Sequence, residues 1–167
     1  MNNKLWWFQR ESNATFFKAL LEDLNKATED PAIKWVTSSY HNDACGSVAV
    51  YVDSDSETIV QLFAYETEED QALEQSDHKY GLTASIVGEF SVKNEFFTND
   101  REEAIAAAVK AAVEVSEEYL HQLARDFMKE NGQDGWQTLS LDEWLLEYGE
   151  QLSEEVRSEG ETLLSRF

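Results

Sequence analysis

The sequence predicts an α+β domain in which one antiparallel sheet of about four strands is packed by an N-terminal helix and two C-terminal helices. Period-2 runs of β-branched and aromatic residues fill the middle of the chain, and apolar residues at helical spacing flank them on both sides. The connectors between the runs are short, which favours antiparallel hairpins. The 167 residues have no internal repeat and no linker, so residues 1–167 are expected to form a single acidic domain.

The first helix is predicted over about residues 13–28. Ser12 or Asn13 can cap it, and Pro31, the only proline, marks its exit. Its apolar stripe recurs at helical spacing and consists of Phe17, Leu20, Leu21 and Leu24.

The sheet is predicted over about residues 33–92. Its four candidate strands share alternation and turn residues at their ends, and they are Ile33–Tyr40, Ser47–Val52, Thr58–Tyr65 and Leu82–Val92.

Two helices are predicted after the sheet, over about residues 100–128 and 140–165. Asn99 with Glu102, and Ser140 with Glu143, have the spacing of capping boxes. We expect Gly160 to bend or end the last helix. The residues of that helix predicted to face the core are Leu141, Leu145, Tyr148, Leu152 and Val156.

The charge is the most unusual property of the chain. It has 34 Asp and Glu against 13 Lys and Arg, a formal net charge of −21. A small soluble domain typically has a net charge of magnitude roughly 2–8. Direct binding to nucleic acid or to an anionic membrane needs Lys and Arg at the contact, so this balance excludes both and predicts a basic protein partner.

The acidic residues are concentrated in two parts of the sequence. In a continuous last helix, four glutamates would lie within about 40° of one line. A second group, between residues 53 and 77, has no Lys or Arg among its acids. Rows of carboxylates about 5–7 Å apart resemble the phosphates that a DNA-binding protein meets on one strand. The predicted partner-binding residues are Asp53, Asp55, Glu57, Glu66, Glu68, Glu69, Asp70, Glu143, Glu147, Glu150 and Glu154.

No motif predicts catalysis, a metal site or a cofactor. Cys45 is the only cysteine, and the acidic turn that begins at Asp53 has Thr58 and Ala64 where a calcium loop needs Gly and Glu. The sequence has neither a signal-peptide pattern nor an apolar run long enough to span a bilayer. We therefore expect a non-enzymatic, soluble, cytoplasmic protein.

Trp6 and Trp7 precede the first helix and allow two interpretations. They form an N-terminal strand buried on both faces, or one of them is exposed and contacts a partner or a second copy in a homodimer.

In its small size, strong acidity and lack of a catalytic signature, the chain resembles the antirestriction and anti-CRISPR inhibitors of phages and mobile elements. The likeness is one of composition and not of matched residues. It implies a DNA mimic that blocks the basic groove of a defence nuclease or effector complex in the host cytoplasm. Three alternatives stay open: an acidic housekeeping protein of a salt-adapted cell, a scaffold or assembly factor for a basic partner, and an enzyme.

Overall fold

The computed structural model describes residues 11–39, 45–51, 59–65, 67–73, 75–85, 92–132 and 137–167. The predictions made for Trp6 and Trp7 fall outside these ranges. The chain divides into two compact units, Met1–Val115 and Ser116–Phe167.

The N-terminal unit contains a five-stranded antiparallel sheet, so the predicted α+β class is confirmed. The strands follow one another in the order β1-β2-β3-β4-β5, each hydrogen-bonded to the next in the chain. The elements of this unit that precede the long third helix are α1 Glu11–Ala27, β1 Trp35–Thr37, β2 Gly46–Tyr51, β3 Ile59–Ala64, α2 Glu68–Leu73, β4 Tyr80–Ser85 and β5 Val92–Thr98.

The core of this unit lies on one face of the sheet. Alternation along the strands buries side chains such as Val48 and Leu62, which pack in one cluster with Leu20 and Leu24 of α1. The long helix α3, Arg101–Glu130, adds Ala104 and other small residues to the cluster. Small side chains let a helix approach the sheet closely, which completes the apolar core.

Trp35 connects α1 to the first strand. Its indole is 1% exposed, and its Nε1 donates a hydrogen bond to Thr28 Oγ1 at 3.1 Å. Its backbone N–H donates to Asn25 Oδ1 at 3.0 Å. These bonds satisfy polar groups that burial would otherwise leave unpaired.

The structure differs from the sequence-based expectations at three places in this unit. Residues 82–92 do not form one strand, because β4 ends at Ser85 and β5 begins at Val92. Helix α2 was not predicted from the sequence, since six residues are too few to show helical periodicity. Helix α3 is capped by Asp100 rather than Asn99: the Glu103 N–H donates to Asp100 Oδ1 at 3.0 Å.

The C-terminal unit consists of the second half of α3 and two further helices, α4 Leu141–Tyr148 and α5 Glu154–Leu164. Its core is centred on Trp144, which is 0% exposed and meets the Phe127 ring edge-on with the ring centres 6.0 Å apart. All five residues predicted to face the core belong to this cluster.

The predicted helix over 140–165 is therefore two helices. The Ser153 side chain accepts a hydrogen bond from the Val156 N–H at 3.3 Å, which starts α5 anew. Gly149 follows α4, and a Cβ there would lie 2.3 Å from the Leu145 carbonyl oxygen. The last helix does not end at Gly160, because α5 continues through it. A Cβ at Gly160 would lie 2.8 Å from Leu145 Cδ2 and 3.0 Å from the Phe127 ring, so a larger residue there would force these side chains to shift.

Candidate partner-binding surface

Helix α4 begins with a hydrogen-bonded turn around Ser140. The Ser140 backbone N–H and hydroxyl donate to Glu143 Oε2 at 3.0 and 2.8 Å. The spacing Ser140–Glu143 was predicted as a capping box, and these bonds fix the Glu143 side chain at the helix start. These hydrogen bonds between Ser140 and Glu143 stabilise the first turn of α4, which helps a helix of only eight residues to form.

The two faces of α4 differ sharply. Leu141 and Trp144 are buried, and Leu145 and Tyr148 pack against the same cluster. The opposite side presents exposed residues, which are Asp142, Glu143, Leu146 and Glu147. An amphipathic helix is expected to have a polar outer face, but this one contains no Lys or Arg.

The four glutamates predicted to form one line do not share a helix. Glu143 and Glu147 lie on α4, Glu150 lies in the turn after it, and Glu154 is the first residue of α5. All four are exposed. The single helical stripe is wrong because the chain leaves helical geometry between Gly149 and Ser153.

The exposed acids of this region form what we call the α4–α5 acidic segment. It comprises Asp142, Glu143, Glu147, Glu150, Glu154 and Glu155. From Asn131 to Val156 the sequence has no Lys or Arg, so no cation within the segment neutralises it.

Ion pairs lie elsewhere in the described part of the chain. The pairs found there are Lys18–Glu22, Arg101–Asp23, Lys110–Glu114 and Arg157–Glu161, at 3.9, 2.8, 3.6 and 2.9 Å respectively. None of these pairs includes a residue of the α4–α5 acidic segment. Its carboxylates therefore keep their charge available to a partner.

Helix dipoles stabilise part of this charge within the protein itself. Asp142 and Glu143 lie in the first turn of α4, and Glu154 and Glu155 lie in the first turn of α5. Carboxylates at helix N-termini are favourable because the helix dipole is positive there. Four of the six acids thus also have a structural role.

The pKa of Glu143 is lowered below its ordinary value of 4.5, chiefly by the hydrogen bond from the Ser140 backbone N–H. A hydrogen bond with the Ser140 side chain lowers the pKa of Asp142 below 3.8. Both carboxylates therefore stay ionised to a lower pH than the same groups without these hydrogen bonds.

Replacing Ser140 by Ala is expected to raise the pKa of Asp142 and of Glu143, since the hydroxyl that stabilises their charged forms is lost. A pKa lowered in the folded state adds stability above the ordinary pKa and loses it as the pH falls through the folded-state pKa. The difference in stability between wild type and Ser140→Ala should thus become smaller on acidification, leaving the part that is due to the N-cap itself. Carboxyl NMR titration and urea unfolding measure both effects, with Ser158→Ala as the control. Unchanged pKa values would contradict this role of Ser140.

The second predicted group of acids receives little support. Asp53, Asp55, Glu57, Glu66 and the Glu69 side chain lie outside the described residues, and Glu68 is exposed at the start of α2.

The prediction that Asp70 belongs to the partner-binding surface is wrong, because Asp70 is only 1% exposed. Its Oδ2 accepts a hydrogen bond from the Thr67 N–H at 3.2 Å, and its own N–H donates to Thr67 Oγ1 at 3.1 Å. Asp70 therefore caps α2, and a partner cannot reach it.

Sequence reasoning missed one residue of α4. Leu146 is 88% exposed and lies among the carboxylates of the outer face. The signal was present in the sequence, because position 146 falls about 40° from Asp142 on a helix, on the side that the charge pattern had assigned to solvent.

The C-terminal unit also has an open cleft of about 730 Å³. Its lining is mostly apolar and includes Met128, Leu164 and Phe167, with His121, Arg125 and Asp142 as its ionisable groups. His121 is exposed and packs against the Phe167 ring, with the ring centres 5.2 Å apart.

Within the described ranges, no three His, Cys, Asp or Glu side chains come together in a way that could hold a metal ion. No helix among the same residues combines the length and the apolar character needed to cross a bilayer.

Comparisons of the chain with protein families, with curated proteins and with solved structures give no match.

Proposed function

We propose that the chain is a non-enzymatic inhibitor that occupies the basic nucleic-acid groove of a defence nuclease or effector complex, of antirestriction or anti-CRISPR type, in the host cytoplasm. The observation that carries this proposal is the α4–α5 acidic segment, whose carboxylates are exposed and take part in no ion pair among the described residues.

Both units are acidic, and the C-terminal unit has the higher density of net charge, −9 in 52 residues against −12 in the 115 residues of the N-terminal unit. From Ser116 to Phe167 there are 13 Asp and Glu against four Lys and Arg, in 52 residues. Concentrated charge of one sign raises the local potential and attracts a basic partner.

The spacing of the carboxylates suits a site that normally binds phosphates. Glu143 and Glu147 are four residues apart on α4, which places their Cβ atoms about 5–6 Å from each other on one face. Duplex DNA carries one charge per about 1.7 Å of axis, counting both strands. A groove lined by Lys and Arg can therefore exchange several phosphates for carboxylates of this segment, with release of condensed counterions.

The proposal depends on electrostatics, and it therefore makes the affinity dependent on salt. Contacts between exposed charges are screened over about 8–10 Å at physiological ionic strength. Binding through the acidic segment should weaken steeply as salt increases, as the binding of DNA to the same groove does.

An assay of DNA binding by purified effectors tests the proposal. The chain is added to a restriction endonuclease or to a guide-loaded CRISPR effector before or after labelled duplex DNA, and DNA binding is followed by fluorescence anisotropy. We expect at least one effector to lose DNA binding when the chain is added first. An acidic protein of unrelated fold and equal net charge is the control. Equal inhibition by that control, or no inhibition across the effector panel, would contradict the proposal.

A further inference from the structure

The outer face of α4 carries an apolar side chain in the middle of its charges. Leu146 is 88% exposed, whereas the other large apolar side chains whose exposure the structure describes are at most 56% exposed. Asp142 and Glu143 precede it by four and three residues and flank it on the helix, and Glu147 and Glu150 follow it. An exposed leucine on a mixed surface is ordinary, but here the charged residues within four positions of it are all anions.

The charge pattern explains why no neighbouring lysine or arginine side chain covers Leu146. Long Lys and Arg side chains usually cover surface leucines, because their methylene stems lie on apolar surface while their charged ends reach water. The sequence from Asn131 to Val156 contains neither residue, so no local stem can shield Leu146. A partner rich in Lys and Arg brings the stems that this segment lacks.

We infer that the outer face of α4 docks on a protein surface rich in lysine and arginine, whose alkyl stems cover Leu146 while their charged ends contact the surrounding carboxylates. This inference deepens the proposed function and rests on it for the identity of the partner as a basic groove. A surface that only replaced phosphates would gain nothing from an exposed leucine. Leu146 adds a contribution that salt does not screen, because burial of apolar surface is insensitive to ionic strength compared with ion pairs.

Two cationic peptides of equal length and charge separate the two contributions. One is oligolysine, and the other is oligo-2,3-diaminopropionate, which has a single methylene in place of the lysine stem; both are used at mildly acidic pH, where they are cationic. Leu146→Ala is expected to weaken binding of oligolysine roughly three- to tenfold and to leave the short-stem peptide unaffected. Glu147→Gln should weaken both and reduce the salt dependence of both.

Val113→Ala, on α3 and 36% exposed, is the matched control and should bind both peptides like wild type. Because Leu146 is exposed, Leu146→Ala should keep the unfolding midpoint of wild type, so a change in binding is not a change in folding. If Leu146→Ala binds oligolysine as wild type does while Glu147→Gln binds it more weakly, the inference is wrong and the charge alone acts. If the Leu146 effect is present but no DNA-binding effector is inhibited, the inference stands and the proposed function fails.

Discussion

A variant in which four glutamates of the α4–α5 acidic segment become glutamine is expected to bind the basic partner roughly five- to 1000-fold more weakly. The substitutions are Glu143→Gln, Glu147→Gln, Glu150→Gln and Glu154→Gln. Each exposed ion pair contributes about 0.2–1 kcal/mol, so four lost pairs give about 1–4 kcal/mol. Glutamine keeps the side-chain size and can still form the capping box with Ser140, so the fold should persist.

A second variant with the same net charge provides the control. It replaces four exposed glutamates outside the acidic segment, which are Glu29, Glu95, Glu117 and Glu130. Both variants have a formal net charge of −17, that is, −21 plus four. The proposed function predicts that the control binds within about threefold of wild type in isothermal titration, since only overall attraction changes. Equal loss in the two variants would favour an acidic protein of a salt-adapted cell, in which no particular carboxylates matter.

The largest expected effect on stability comes from Trp144→Ala, which should destabilise the C-terminal unit by about 3–5 kcal/mol. The indole is 0% exposed and packs between the rings of Phe127 and Tyr148, whose centres lie 6.0 and 5.9 Å away. Its removal leaves a cavity that the small helical unit cannot close. Urea unfolding and hydrogen exchange of the amides from Ser116 to Phe167 measure the loss.

Two further variants give this prediction its controls. Leu146→Ala, on the same helix but exposed, should change stability by less than about 0.5 kcal/mol. Trp144→Phe should lower the free energy of unfolding much less than Trp144→Ala, because it keeps an aromatic ring in the core. It also removes the buried Nε1–H, which has no hydrogen-bond partner among the described residues. If the amides of the C-terminal unit exchange at the wild-type rate in Trp144→Ala, Trp144 is not the centre of the core of that unit.

The fold class was predictable because the pattern that specifies a strand is local. Val48 and Val50 alternate with smaller or polar neighbours, and β2, Gly46–Tyr51, lies within a residue of its predicted bounds at each end. The division of residues 82–92 between two strands was hard to predict, since Gly88 alone interrupts the alternation and a single glycine within a strand pattern also fits a bulge.

The break between α4 and α5 was missed because the apolar spacing continues through it. Leu145, Leu152 and Val156 keep helical spacing although the chain leaves the helix between them, since all three pack on one cluster. The competing signal was Ser153, whose side chain caps α5. Glycine at 149, followed by a cap four residues later, indicates a new helix more strongly than the apolar period indicates continuity.

The charge of a residue did not reveal its exposure. Asp70 was grouped with surface acids, yet it is buried because it bonds Thr67 at the start of α2. Its position three residues after Thr67 is the spacing of a capping box, and this local signal outweighs the composition of its surroundings. Leu146 shows the converse, since an apolar residue lies exposed where the core face of α4 is already filled.

Equilibrium competition between the chain and duplex DNA for one purified effector tests the central claim most directly. If the α4–α5 acidic segment occupies the nucleic-acid groove, the apparent Kd of the chain should rise linearly with the concentration of duplex DNA, and the two should never be bound together. A ternary complex of effector, DNA and chain, with an affinity for the chain that DNA does not change, would contradict it.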